Sequence, residues 1–187
     1  MNANIVRQFQ EKHESLAGIV HQVSGTNEAV EKVVAILQDK TVEKIAMAIL
    51  PEEFGRNLEQ QCAQNGMEMF KPPFDNAVLP NAFESIQVGI SWAAFAIAET
   101  GAIVEFSTDD ALRLVSALPL VHISVMRAAD MIGTLKEAAT PIRNFYNENS
   151  LNATVSFISG PSRTADIEMR LILGVHGPAE THVIIIN

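Results

Sequence analysis

Between residues 156 and 168 the chain runs Ser-Phe-Ile-Ser-Gly-Pro-Ser-Arg-Thr-Ala-Asp-Ile-Glu, a stretch that gathers groups suited to holding an anion. Val155, Phe157 and Ile158 predict a strand, Gly160 permits a tight turn at its carboxyl end, and Pro161 stops the strand. Ser162, Arg163 and Thr164 then stand where a helix is expected to begin, with Asp166 and Glu168 in its first turn. Free N–H groups and the dipole at a helix start favour negative charge. Arg163 adds a guanidinium that fits a carboxylate or phosphate, while Ser159, Ser162 and Thr164 add hydroxyls. Ser159, Gly160, Ser162, Arg163 and Thr164 are therefore expected to bind a small carboxylate or phosphate. The competing reading makes Ser162 or Thr164 a plain helix cap and pairs Arg163 with Asp166 or Glu168. No Walker lysine is present.

A second stretch, Gly174–His182 (GVHGPAETH), brings His176, Glu180 and His182 within nine residues. Gly174 and Gly177 allow close backbone approach to a ligand, Glu180 is a further ligand contact, and the His176 imidazole suits acid–base work near neutral pH. The His176/His182 spacing matches no standard zinc pattern, so no metal is expected. A third feature is the Ala-Glu-Thr-Gly turn at 98–101, where Glu99 stands at a strand end as nucleophile, base or hydrogen-bond acceptor. The same turn has a plain reading, with Gly101 at positive φ. His122, inside the apolar run LVHISVM, is read as a core histidine.

These groups need elements to position them. Apolar spacing predicts helices over 2–23, 27–37, 52–65, 108–118, 130–147 and 164–173, the one at 130–147 kinked near Pro141. Strands are expected over 44–50, 67–70, 87–91, 95–98, 102–106, 120–126, 154–158 and 182–186. Several of these are continuously apolar and alternate with helices, which argues for an α/β fold with a largely parallel sheet and helices on both faces. A hairpin at 99–101 makes that sheet mixed. The proline-bearing segment 71–81 is the one candidate hinge. Residues 1–187 are expected to form a single domain, with 1–26 as a helical N-terminal extension within it.

Composition narrows the function classes. With 48% hydrophobic and 19% charged residues the chain has material for a core. Thirteen basic residues against 22 acidic ones give a net charge of −9, which disfavours nucleic acid. The longest apolar run, 90–98, is too short to span a bilayer, and the amphipathic first residues lack the apolar core of a secretory signal. A cytoplasmic protein without membrane insertion is expected. Cys62 is the only cysteine, so this chain forms no internal disulfide and holds no iron–sulfur cluster.

In order and spacing, AIAETGAIV (96–104), LPLVHISVM (118–126), SFISGPSRTADIE (156–168) and LGVHGPAETHVIII (173–186) resemble the lactate-utilisation protein C family, also called the LUD-domain family. The resemblance covers roughly residues 30–187. It implies a fold like that of the sugar-phosphate isomerase and CoA-transferase superfamily. It also implies a place in L-lactate oxidation to pyruvate, as a cluster-free subunit or accessory factor whose iron–sulfur clusters sit on partner proteins. Two alternatives stand beside it. One is a stand-alone enzyme acting through Glu99 on a phosphorylated or CoA-linked small molecule. The other is a non-catalytic binding or regulatory module.

Overall fold

In the computed structural model, which describes residues 3–74, 79, 81–149, 151–164 and 172–187, six apolar segments form one wholly parallel sheet. Numbered along the chain, they are β1 (Ile19–Val23), β2 (Lys44–Met47), β3 (Glu68–Phe70), β4 (Val88–Trp92), β7 (Val121–Arg127) and β12 (Glu180–Ile186). Their order in space is β1-β12-β7-β4-β2-β3. Side chains alternate across such strands, so the sheet has two distinct faces. One carries Val23, Ile45, Met47, Val88, Ile90, Ile123, Val125 and Ile184, buried with Val30, Val33 and Leu37 of α2 (Thr26–Asp39) and with Phe54 and Leu58 of α3 (Glu52–Gln64). This is the main core.

The opposite face is covered differently. The segments β5 (Phe95–Ile97), β6 (Ala102–Ser107), β8 (Met131–Ile132) and β9 (Thr154–Ile158) make a second, four-stranded sheet in the order β8-β5-β6-β9. The expected hairpin at 99–101 is real, with Gly101 at φ +66°, but β5 and β6 pair in this second sheet and leave the large one purely parallel. Ala93, Ala96, Ala98 and Ile103 pack with Met126, Val183 and Ile185 of the large sheet and with Val6 and Phe9 of α1 (Ala3–Ser15). The far side of the second sheet buries Phe95, Ile97 and Val104 against Ala138 and Ile142, at and within α5 (Ala139–Glu148). The helix α4 (Asp110–Ala117) lies so close to β4 that a Cβ on Gly89 would stand 1.8 Å from the Val115 carbonyl oxygen.

Three expected helices are corrected. The helix over 2–23 stops at Ser15, because Ala17 turns to φ 65° and the β-branched Ile19 and Val20 enter β1. Its helical spacing across Leu16–Val23 is a coincidence of apolar positions that suit a strand equally well. The helix over 130–147 divides into β8, a 3₁₀ turn over Leu135–Ala138 and α5. Pro141 therefore sits in a first helical turn, where its missing N–H breaks no bond, and kinks nothing. No helix begins at Thr164: Arg163–Thr164 form β10, paired antiparallel with β11 (Ile172–Leu173), and the rest of the expected helix lies outside the described residues. Within the segment 1–26, Val6 and Phe9 are core residues and β1 is a strand of the large sheet. The proline-bearing loop after β3 joins strands of one sheet. Among the described residues no helix is long and apolar enough to cross a membrane.

The first and last strands of the large sheet are fastened by a histidine pair. His21 Nε2 lies 3.0 Å from His182 Nδ1 with the rings stacked, His182 Nε2 lies 2.5 Å from Glu180 Oε1, and Lys40 Nζ lies 2.6 Å from the same oxygen. Burial, then the charges of His182 and Lys32, push His21 from 6.5 down to about 4. Burial lowers His182 as well, against the pull of Glu180, and lowers His13 against the Gly101 carbonyl. A folded state that binds fewer protons than the unfolded chain loses stability as pH falls. The urea midpoint should therefore drop as pH is lowered from 6.5 towards 4. In His21→Gln the drop should be shallower without vanishing, because His13 and His182 shift the same way. An identical pH slope in wild type and variant would contradict the assignment.

Candidate functional site

Connections across the large sheet change direction between β2 and β4. From β2 the chain passes through α3, on one face, outward to β3; from β4 it passes through the second sheet and α4, on the other face, towards β7. In open α/β sheets such a reversal leaves a crevice outside the carboxyl ends of the strands, where ligands sit. A cleft of about 300 Å³ opens at that point, lined by Ala48 and Ile49 after β2 and by Ser91 and Trp92 at the end of β4. Glu105, Phe106, Ser107, Thr108, Leu112, Arg113, Phe145 and Ser156 complete it.

The floor is polar and built from three elements. Ser91 Oγ donates to Glu105 Oε1, so the hydroxyl's one proton is directed to the carboxylate. His122 Nε2, 2.8 Å from the same oxygen, must then be the donor to Ser91. It also lies 3.4 Å from Glu105 Oε1, and Ser124 Oγ stands 3.4 Å from Ser91. Burial pushes the Glu105 carboxyl up, but the hydrogen bond and charge of His122, with the hydroxyls of Ser91 and Ser116, outweigh it. Glu105 is held below its ordinary range. The site thus has a carboxylate floor at neutral pH. Beneath it the buried His122 Nδ1 and the hydroxyl of Thr181, the neighbour of His122 in strand register, have no partner among the described residues. At the rim, Arg113 donates to Thr154 Oγ1 and pairs with Asp110. Phe106 and Phe145 stack beside it with ring centroids 4.3 Å apart.

The residues singled out in the sequence lie elsewhere. The Ser162 amide donates to the Pro178 carbonyl at 2.8 Å and the Ser162 carbonyl accepts from Gly174 at 2.9 Å, so this segment and the His176 loop do come together. Gly177 packs against Ser162. Pairing between β10 and β11 and with this loop uses backbone groups that a helix start would have turned towards an anion. Ser159, Arg163 and His176 are exposed, and Gly160 abuts the Leu16 carbonyl. The loop leads into the amino end of β12, whereas the cleft opens at the carboxyl ends of the parallel strands. Glu180 is engaged with Lys40 and His182. Glu99 is exposed and its carboxylate caps the Leu135 amide at 2.8 Å. Among the described residues no three His, Cys, Asp or Glu side chains stand close enough to hold a metal ion.

Ser91, Glu105 and Arg113 escaped the sequence reading, and His122 was placed in the core without its partners. Two signals pointed to them. In VGISW (88–92) and VHISVMR (121–127) alternate positions carry Gly, Ser and His although both faces of these strands are covered. In AIVEFS (102–107) a lone carboxylate interrupts an apolar strand.

Comparison with known proteins agrees with this geometry at the level of fold. The LUD domain family matches residues 6–186. Lactate utilization protein C of Shouchella clausii is 38% identical over 104 residues, 56% of this chain and 45% of that protein. Its counterpart in Bacillus subtilis is 36% identical over 105 residues, 56% and 44% of the two chains. The chain thus spans about half the length of the curated relatives it matches. The crystal structure of a DUF162 family protein from Deinococcus radiodurans superposes with a TM-score of 0.67 at 20% identity, covering 100% of this chain and 99% of that one, which establishes the α/β fold.

Removing the shared hydroxyl tests the floor. Ser91→Ala leaves a buried carboxylate and an imidazole short of a partner, which should cost about 1–3 kcal/mol in urea unfolding. A variant as stable as wild type would show that Ser91 does not bridge Glu105 and His122.

Proposed function

The chain belongs to the LUD-domain family, and on that footing we propose that it serves lactate utilisation as a cluster-free component of a system that oxidises L-lactate to pyruvate. In this reading it holds a small carboxylate in the cleft beside Arg113. One observation carries the site: the switch-point cleft presents a guanidinium at its rim and hydrogen-bonding groups at its floor, between apolar side chains of Ile49, Leu112 and Phe145. Arginine is suited to grip a carboxylate through paired N–H donors. Likeness to relatives called lactate utilization protein C supports the pathway in this reading.

Iron–sulfur proteins are the partners this reading requires. Cys62 is the chain's single thiol, it lies on the buried face of α3, and burial pushes it up to about 11, so it offers no thiolate to a cluster. Electron transfer then belongs to companion proteins. Glu99, on which a stand-alone enzyme for phosphorylated or CoA-linked molecules would rest, is occupied as the cap of the Leu135 turn.

Calorimetry with L-lactate, pyruvate and inorganic phosphate tests the site. Arg113→Ala should weaken carboxylate binding by about 1.5–3 kcal/mol, the scale of a charge-assisted hydrogen bond. Unchanged affinity in a folded variant would move the anion elsewhere. For the pathway, the tagged protein should draw out iron–sulfur proteins from cells grown on L-lactate. Undiminished growth on L-lactate after deletion of the gene would overturn the role.

A further inference from the structure

Hydrogen-bond direction at the cleft floor separates two kinds of carboxylate ligand. An ionised carboxyl group accepts and never donates. Glu105 Oε1 takes the Ser91 proton, and the donation from His122 Nε2 to Ser91 keeps that hydroxyl from turning its proton outward. Glu105 therefore offers the cleft lone pairs alone. A 2-hydroxy acid has a proton to give at that point. The matching 2-oxo acid has only a carbonyl oxygen, whose lone pairs would meet those of the carboxylate. Phe106, Phe145, Leu112 and Ile49 offer apolar surface to the short carbon chain that both ligands carry.

We propose that the cleft selects 2-hydroxy acids over the corresponding 2-oxo acids, with Glu105 accepting a hydrogen bond from the ligand's 2-hydroxyl group while Arg113 holds its carboxylate. This deepens the proposed carboxylate site and rests on it. The site is thereby one for the reduced partner of the couple, and it releases the oxidised one. Ser91 and His122 are positioning residues, acting through Glu105.

The test is calorimetry of the wild-type protein at neutral pH with three ligands of equal chain length: L-lactate, propionate, which lacks the hydroxyl, and pyruvate. L-Lactate should bind at least about tenfold more tightly than either of the others, the ratio expected for one hydrogen bond to a charged acceptor. Glu105→Gln replaces the pure acceptor by a group that also donates, and should bring L-lactate and pyruvate to within about threefold of each other. Equal affinities for all three in the wild type would overturn the selection while leaving the carboxylate site standing. Binding of none of them would overturn the carboxylate site itself. The wild-type series decides the matter even where Glu105→Gln fails to fold.

Discussion

Glu105 projects from the second sheet into the face of the first, and everything around the cleft is arranged to satisfy it. A buried charge without partners costs several kcal/mol, and that cost is met only when hydrogen bonds of good geometry reach it. Here they come from Ser91 on β4 and His122 on β7, two adjacent strands of the large sheet. Because serine is short, the sheets must approach closely. The interface is accordingly lined with Ala93, Ala96 and Ala98, where larger residues would hold the layers apart. The polar contact and the small apolar residues are thus two parts of one constraint, and together they fix how the second sheet sits on the first.

The two faces of the large sheet divide their tasks. The face under α2 and α3 is almost wholly apolar and supplies most of the core. The face under α1, α4 and the second sheet carries Gly89, Ser91, His122, Ser124 and Thr181, residues that contribute little hydrophobic burial. Gly89 admits the backbone of α4, which brings Arg113 to the rim. Both sides of the sheet bury apolar side chains, but the polar chemistry is placed on one of them, at the reversal of strand connections where a crevice opens.

The fold class was legible because continuously apolar segments alternating with helical periodicity have few other solutions. Most strands and the helices α2, α3 and α4 stand close to their expected bounds. What misled was periodicity over short stretches: Leu16, Ile19, Val20 and Val23 satisfy a helical repeat, yet Gly18 and the β-branched pair favour the strand that forms. The expected ligand loops were real neighbours, as the contacts of Ser162 with Gly174 and Pro178 show. The cleft was not legible because Ser91, Glu105, Arg113 and His122 are spread over 32 residues and converge only through strand order and the stacking of two sheets. Neither follows from local pattern.

The placing of β12 between β1 and β7 has a consequence for how the chain is made. His21 and His182 are 161 residues apart in sequence and adjacent in space. Until residues 180–186 leave the ribosome, β1 and β7 have a one-strand gap between them, and each shows an unsatisfied edge to whatever is near. Such edges invite wrong pairing, and contacts of long sequence separation form slowly. The six-stranded sheet therefore closes only once β12 has joined β1 to β7, after every other strand of it has been made.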